Sequence, residues 1–225
     1  MSLISSAFQQ ELAATAQHLA TVLPADAART IDQGIATVAA SGQAQRVLQA
    51  GQAAPDFTLP NADGQPVHLR ELLAQGPVVL TFYRGNWCPY CNVQLRAYQQ
   101  ALPELAQYGA TLVAVSPQSP DHTSLTVSEK ALAFPVLSDA GNAVARQYGL
   151  AYSVGGEVAT TLRGVGIDLA AYNGTADDEL PLTATFVIAP DGRIAWAWVD
   201  ANFKHRAEPA AIVAALQQLP AAQYA

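Results

Sequence analysis

The stretch "PVVLTFYRGNWCPYC" (residues 77–91) decides the fold. Its first seven residues are mostly apolar and partly β-branched, and they begin at a Gly-Pro pair, which predicts a buried strand of a parallel sheet. A helix is expected from about Pro89, because proline suits the first helical position, where its missing N–H costs nothing. This strand–turn–helix unit places Cys88 and Cys91, the only two cysteines of the chain, at the start of a helix.

The position of the two cysteines predicts redox chemistry. At a helix start, backbone N–H groups without helical partners and the positive end of the helix dipole stabilise a thiolate, and Cys-x-x-Cys sites have thiol pKa values of about 3.5 to 7. A spacing of three puts Cys91 on the same helix face as Cys88, at a separation that a disulfide can span. The alternatives are two buried core thiols, or zinc. Zinc is not favoured, because two thiols supply half of a closed site and no histidine lies nearby in sequence.

The composition narrows the class of protein. The 225 residues are 51% hydrophobic and 13% charged, with a net charge of −7, which is typical of a globular protein. The 11 Lys and Arg residues are scattered, so no nucleic-acid surface is expected. No apolar run is long enough to cross a membrane, and the N-terminus lacks the basic start of a secretory signal. We therefore expect a cytoplasmic protein, in which closely spaced cysteines are usually redox or metal-binding groups.

Two segments of different character follow each other along the chain. Residues 1–50 have apolar residues at helical spacing and are expected to form an N-terminal extension of two helices. Pro24 is expected to end the first helix, Asp26 to cap the second and Gly42 to end it. Because amphipathic helices must bury their apolar faces, the pair should pack on the main domain or on a second subunit. Residues 51–225 are expected to form that main domain.

The main domain alternates short strands and helices. A turn is expected at 62–64, a second buried strand at 110–116 and a hairpin around 190–192. Pro103 is expected to break or kink the helix that follows the cysteines. Residues 150–182 lack clear periodicity and are interpreted as a long insertion. The remaining predicted elements are a short strand at 134–139 and helices at 120–132, 142–148 and 207–219. This order predicts an α/β fold with a mixed sheet flanked by helices.

Five stretches carry a resemblance to a known family: "APDFTLPNADGQPVHL", "VVLTFYRGNWCPYC", "LVAVSPQS", "FPVLSD" and "TFVIAPDGRI". In this order, the run from Pro55 to His205 resembles the alkyl hydroperoxide reductase/thiol-specific antioxidant family, the peroxiredoxins and their relatives on a thioredoxin fold. Within it, "WCPYC" is similar to the active site of thioredoxins, and Cys-Pro-Tyr-Cys is the signature tetrapeptide of glutaredoxins. The resemblance implies a thioredoxin-like fold.

The family frame Pro-x-x-x-Thr-x-x-Cys assigns positions to individual residues. It places Arg84 at the proline, Cys88 at the threonine and Cys91 at the cysteine that attacks peroxide. Gln94 stands where many members have glutamate. Thr183 occupies the position of the arginine that stabilises the thiolate in the family. Arg84 is therefore expected to supply the missing positive charge, with an exposed arginine at a strand end as the alternative.

The resemblance implies a thiol-dependent peroxidase that reduces hydrogen peroxide or organic hydroperoxides. A thioredoxin-like or glutathione-type reductant would recycle it, and no bound cofactor is needed because sulfur carries both electrons. In peroxiredoxin chemistry Cys91 attacks and Cys88 condenses with the resulting sulfenic acid, whereas in thioredoxin-like chemistry Cys88 attacks first. The alternatives are a thiol–disulfide oxidoreductase acting on protein or glutathione disulfides, and a non-enzymatic redox sensor or interaction protein.

Aromatic residues flank the cysteines. Tyr83, Trp87 and Tyr90, together with Thr183, are the candidate substrate-binding residues, with core packing as the alternative for the aromatic side chains. No metal ligand is predicted, since the histidines show no ligand-like pairing. The sequence leaves the oligomeric state open, and a homodimer is the assembly that we expect.

Overall fold

A five-stranded mixed sheet forms the centre of the protein in the computed structural model, which describes residues 3–219. The strands of the described residues are β1 (Thr58–Pro60), β2 (Pro66–His68), β3 (Val78–Phe82), β4 (Thr111–Ser116), β5 (Val136–Ser138), β6 (Ala151–Ser153), β7 (Glu179–Pro181), β8 (Thr183–Ile188) and β9 (Ile194–Asp200). The helices are α1 (Leu3–Val22), α2 (Ala25–Ala40), α3 (Leu69–Leu73), α4 (Pro89–Ala106), α5 (Pro120–Lys130), α6 (Ala143–Gln147), α7 (Gly156–Gly164), α8 (Leu169–Asn173) and α9 (Pro209–Gln217).

The central sheet has the strand order β5-β4-β3-β8-β9. β3 is parallel to β4, and β4 is parallel to β5. β8 is antiparallel to both β3 and β9, so the last two strands form the predicted hairpin. Every residue of β3 is buried, as predicted for the apolar run before the cysteines. The mixed sheet flanked by helices confirms the predicted α/β fold class.

Helices cover both faces of the sheet because side chains alternate along each strand. Val79 of β3 packs in a core with residues of α1, α4 and α9. Its neighbours Val78 and Leu80 pack in a second core with residues of α3 and α6. α4, which begins at the cysteines, is therefore held against one face of the sheet.

The first N-terminal helix lies on the side of the sheet that carries α4, and the second packs elsewhere. Phe8 and Leu12 of α1 are buried in the core shared with α4 and α9. α2 packs against α7. The helices end where the sequence predicts, α1 just before Pro24 and α2 just before the left-handed Gly42.

The predicted cap at Asp26 and the predicted break at Pro103 are wrong. Asp26 does not cap α2, because Pro24 occupies the N-cap position and Asp26 lies in the first turn. Pro103 does not end the helix after the cysteines, since α4 continues through it to Ala106. Ala101 and Leu105 are both buried on either side of Pro103, and this packing holds the helical path although one backbone hydrogen bond is lost.

The segment predicted as an insertion, 150–182, has a small core of its own. β6 and β7 pair antiparallel at its two ends, with α7 and α8 between them. Its buried apolar residues are Val154, Ala159, Leu162, Leu169 and Leu180. Ile31 of α2 and Trp87 beside the cysteines pack against this core, so the segment forms a wall next to the dithiol.

Gly149 of the main domain packs closely against the backbone of the N-terminal segment at Arg46. Its φ is +77°, and a Cβ at this position would lie 2.5 Å from the carbonyl oxygen of Arg46. We expect Gly149→Ala to lower the free energy of unfolding by roughly 2–4 kcal/mol, the sum of left-handed backbone strain and a backbone clash. Urea denaturation measures this loss. Gly64→Ala is the matched control, because Gly64 has a φ of +75° but nothing within 4 Å of its added Cβ. Equal losses in the two variants would contradict the importance of the close approach.

Candidate active site

The two cysteines lie at the start of α4, directly after the loop that follows β3. Cys88 is the N-cap of α4, with extended backbone angles, and Pro89 is the first helical residue, as predicted. Both cysteines are free thiols and are buried, with 1% of Cys88 and 0% of Cys91 exposed. The chain therefore presents two reduced sulfurs one helical turn apart in a site from which water is largely excluded.

The surroundings of the two sulfurs make them chemically different. Burial alone would raise the pKa of the Cys91 thiol, but a hydrogen bond from Cys88, the charges of Arg206 and Arg84, and the Arg84 backbone N–H outweigh burial and hold this pKa well below its ordinary value. Burial, together with the hydrogen bond to Cys91 and its negative charge, raises the pKa of Cys88 well above its ordinary value. The site thus favours a Cys91 thiolate that accepts a hydrogen bond from the Cys88 thiol.

Arg206 is the residue that sequence reasoning missed. Its Nη2 lies 3.4 Å from Cys91 Sγ and 3.8 Å from Cys88 Sγ, and only 4% of the residue is exposed. It lies in the loop between β9 and α9. The family frame locates the arginine earlier in the chain, at Thr183. The sequence offers only one weak signal, an arginine shortly before an apolar helix. Its approach to the sulfurs depends on how β9 and α9 pack.

A buried hydrogen-bond network orients Arg206. Its Nε donates to the carbonyl oxygen of Phe203 at 2.7 Å, and its Nη1 donates to Gln94 Oε1 at 2.6 Å. The Gln94 amide in turn donates to Thr81 Oγ1 at 3.2 Å and to the Tyr98 hydroxyl at 3.0 Å. Gln94 is neutral, and within residues 3–219 no carboxylate forms an ion pair with this guanidinium. The Cys91 thiolate is therefore the anion that balances the charge of Arg206.

Arg84 lies on the other side of the dithiol. Its backbone N–H donates to Cys91 Sγ at 3.4 Å. Its guanidinium stacks on the rings of Phe203, 3.8 Å from the centroid, and Trp87, 4.9 Å from the centroid. Its side chain is buried, and its Nε has no hydrogen-bond partner among the described residues. Gly85 has a φ of +152°, and a Cβ there would lie 2.4 Å from Trp87 Nε1, so glycine permits this stacking.

A cavity of about 370 Å³ lies against the start of α4. Cys88 lines the cavity, and Cys91 does not. The other lining residues come from α1, α2, the loop before α4, the first turn of α4, the segment from α7 to α8 and the loop before α9. A molecule that enters this cavity therefore meets the Cys88 sulfur before the Cys91 sulfur.

The other predicted site residues occupy different surroundings. Trp87 and Tyr90 line the cavity beside Cys88. Tyr83 is fully buried in the core that also contains both cysteines, and it does not line the cavity. Thr183 is buried on β8, and its hydroxyl has no hydrogen-bond partner among the described residues.

Residues 3–219 contain no cluster of three or more His, Cys, Asp or Glu side chains arranged to hold a metal ion. None of the helices described is both long and apolar enough to cross a membrane.

A buried dithiol at the start of the helix that follows a central strand defines a redox site on a thioredoxin-like fold. The profile of the AhpC/TSA family matches residues 50–197, and the chain belongs to this family, as its motifs predict. Peroxiredoxin Bcp of Escherichia coli is 33% identical over 103 residues, which are 46% of this chain and 65% of that protein. A putative peroxiredoxin of Mycobacterium tuberculosis is 30% identical over 147 residues, which are 65% of this chain and 82% of that protein.

Solved structures share the fold. Peroxidoxin BcpB of Mycobacterium tuberculosis superposes with a TM-score of 0.60 at 24% identity, covering 77% of this chain and 99% of that one. The bacterioferritin comigratory protein of Xanthomonas campestris, studied for its alkyl peroxide reduction activity, superposes with a TM-score of 0.58 at 22% identity, covering 75% of this chain and 97% of that one. These likenesses confirm the predicted thioredoxin-like fold.

Proposed function

We propose that the protein is a thiol-dependent peroxidase that reduces hydrogen peroxide or organic hydroperoxides through a dithiol–disulfide cycle of Cys88 and Cys91. One observation carries the proposal. The sulfurs of Cys91 and Cys88 lie 3.4 Å and 3.8 Å from the same guanidinium nitrogen of Arg206, and these surroundings lower the thiol pKa of Cys91. A thiolate is the nucleophile that attacks peroxide, and a neighbouring thiol can trap the product. Membership of the AhpC/TSA family supports the same chemistry.

The proposed cycle has three steps. The Cys91 thiolate attacks the terminal oxygen of ROOH, which carries the hydrogen. The O–O bond breaks, the leaving RO⁻ takes a proton to become ROH, and Cys91 becomes a sulfenic acid. The Cys88 thiol then attacks the sulfenic sulfur, which forms the disulfide and releases water. An external dithiol or two thiols reduce the disulfide and regenerate both cysteines.

The two arginines have separate roles in this proposal. Arg206 contacts both sulfurs and is anchored by Gln94, so it stabilises the thiolate before the reaction. Arg84 has a buried, unpartnered Nε and lines the cavity, so it is free to donate to the leaving oxygen as negative charge develops there. Cys88 takes the place of the family threonine as the hydrogen-bond donor to the Cys91 sulfur.

The position of Cys88 on the cavity wall suits the reductive step. A thioredoxin-like or glutathione-type thiolate would attack Cys88 Sγ and release Cys91. A thiol of low pKa is the better leaving group in such an exchange, so the buried thiolate is well placed to leave.

A coupled assay tests the function. Peroxide, NADPH, thioredoxin reductase and thioredoxin are mixed with the protein, and NADPH oxidation is followed. We expect oxidation that requires both the protein and peroxide. In a parallel assay, insulin and a glutathione mixed disulfide replace peroxide. Absence of peroxide turnover, together with ready reduction of the disulfides, would contradict the peroxidase and favour a thiol–disulfide oxidoreductase.

That second candidate function has one observation in its favour. Cys88, the first cysteine of the tetrapeptide, lines the cavity, whereas Cys91 is enclosed. A disulfide substrate would therefore meet Cys88 first, as in thioredoxin-like chemistry. The raised pKa of the Cys88 thiol weighs against this candidate, because a protonated thiol is a poor nucleophile.

The remaining proposals concern organisation and setting. We propose a helical extension over 1–50 and a thioredoxin-like domain over 51–225, of which residues 1–2 and 220–225 lie outside the described residues. We also propose a cytoplasmic location, where thioredoxin and glutathione systems keep thiols reduced. A homodimer is the proposed assembly.

A further inference from the structure

Two buried guanidinium groups and one thiolate meet at the dithiol. Arg84 and Arg206 each have only 4% of their surface exposed. Cys91 supplies one negative charge, whereas the raised pKa of Cys88 keeps that thiol neutral. Within residues 3–219 neither guanidinium forms an ion pair with a carboxylate. The site therefore has one positive charge more than its thiolate balances, and a buried charge without a counter-ion is costly.

The unbalanced charge is that of Arg84. Arg206 contacts the Cys91 sulfur through its side chain, and its other nitrogens donate to protein oxygens. Arg84 donates to the same sulfur through its backbone N–H, and its side-chain Nε has no partner among the described residues. Aromatic rings stack on the guanidinium of Arg84. The N–H groups of a guanidinium lie in its plane, so this stacking leaves them available to an acceptor.

A small cavity, separate from the one beside Cys88, also borders Arg84. It is enclosed by α2, β6, α7 and the loop after β9. Arg84 and Tyr152 are the only residues with polar side chains among its described lining residues, so no carboxylate there repels an anion. Burial raises the pKa of Tyr152, and its hydroxyl therefore stays protonated as a hydrogen-bond donor.

The size of the small cavity suits an ion. Its volume is about 40 Å³, which exceeds the roughly 10–15 Å³ that one water molecule needs. It is far below the roughly 300–1,000 Å³ of sites for organic molecules. Most of its lining residues are partly exposed, so an ion from solvent can enter between α2 and α7.

From these features we propose that the small cavity binds one monovalent inorganic anion of the size of chloride or bromide, held by the Arg84 guanidinium and the Tyr152 hydroxyl. The anion supplies the missing negative charge. Because it neutralises Arg84, it removes part of the field that stabilises the Cys91 thiolate, and the anion concentration then regulates the reactivity of the dithiol. Anion binding is independent of the proposed peroxidase function, whereas an effect on peroxide turnover rests on it.

Alkylation of Cys91 by iodoacetamide tests the site without peroxide. The rate is measured on the Cys88→Ser background at the midpoint of its pH profile, while sodium chloride replaces sodium gluconate at constant ionic strength. We expect a saturable fall of about 5-fold, because a coupling of about 10-fold between anion and proton raises the pKa of Cys91 by about one unit. Gluconate is the control, since it is too large for the cavity.

Two variants disable the site in different ways. Tyr152→Phe removes the hydroxyl donor, and Ala201→Leu fills the cavity, which Ala201 lines. Each should require at least about 10-fold more chloride for the same fall, while the rate in gluconate stays near its starting value. Tyr108→Phe is the matched control and should keep the full response, because the Tyr108 hydroxyl accepts from Gln217 and does not line the cavity. Circular dichroism checks the fold of each variant.

Crystals of the wild-type protein soaked in sodium bromide locate the anion directly. We expect an anomalous peak within hydrogen-bond distance of both Arg84 and Tyr152. Equal slowing by chloride and gluconate would overturn the inference, because it would reflect screening alone. An unchanged chloride response in both Tyr152→Phe and Ala201→Leu would overturn it as well, since the anion would then bind elsewhere.

The crystal and solution results are compared with each other. Bromide in the crystal without a chloride effect in solution would mean binding at crystal concentration only, which also overturns the inference. If alkylation responds to chloride as expected but the protein consumes no peroxide, the proposed function fails and the anion site stands.

Discussion

Cys91→Ser is expected to lower the rate of reaction with peroxide by about 10³-fold or more, because it removes the thiolate that attacks. Cys88→Ser should still react once with peroxide and then stop as a sulfenic acid, since no resolving thiol remains. A serine hydroxyl at position 88 can still donate a hydrogen bond to the Cys91 sulfur, so the first reaction should stay fast. Single-turnover mixing, followed by dimedone labelling and mass spectrometry, measures both results.

Cys88→Ala provides the control for the hydrogen bond. It removes the resolving thiol as Cys88→Ser does, but it also removes the donor that helps to lower the pKa of Cys91. Its single turnover should therefore be slower than that of Cys88→Ser at neutral pH. The opposite pattern, a reactive Cys91→Ser and an inert Cys88→Ser, would make Cys88 the nucleophile.

Arg206→Gln is expected to lower the rate of the first reaction at neutral pH by roughly 10²–10³-fold. Loss of the positive charge beside Cys91 raises the pKa of its thiol, so a smaller fraction is thiolate at neutral pH. The rate should recover as the pH rises, because the thiolate reappears above the new pKa. The pH profile of Cys91 alkylation by iodoacetamide, measured on the Cys88→Ser background, reports this shift.

Two variants make the Arg206 result specific. Arg206→Lys keeps the charge but loses the forked donors, so it should restore part of the thiolate fraction. Arg163→Gln removes an exposed arginine of α7 and should leave the profile unchanged. If Arg206→Gln slows the reaction equally at every pH, Arg206 acts by holding the local structure, and its charge is not what stabilises the thiolate.

The parts of the fold that depend on local sequence were predicted well. The buried strand β3, the start of α4 at Pro89 and the hairpin of β8 and β9 each follow from short apolar runs and from proline or glycine beside them. The dithiol was found for the same reason, since one strand–turn–helix unit fixes both cysteines. Pro103 shows the limit of local rules, because core packing on both sides overrides the disruptive effect of proline.

The parts of the site that come from distant segments were not predicted. Arg206 contacts the sulfurs only because the loop between β9 and α9 folds over the start of α4. A short stretch of sequence does not encode such a long-range contact, and the family frame places the arginine at Thr183 instead. The apolar cavity likewise needs α1, α2 and the segment from α7 to α8 to meet, although each reads in sequence as an ordinary amphipathic or irregular stretch.

The depressed pKa of Cys91 also has a consequence for the electrochemistry of the site. Contacts that stabilise the thiolate stabilise the reduced dithiol relative to the disulfide, and this raises the reduction potential of the couple. A disulfide between Cys88 and Cys91 closes only a short loop of the chain. It therefore removes little entropy from the unfolded chain and adds little to the stability of the folded, oxidised protein. Both effects make the oxidised site an easily reduced electron acceptor, which suits the proposed cycle, in which an external reductant regenerates the dithiol after each turnover.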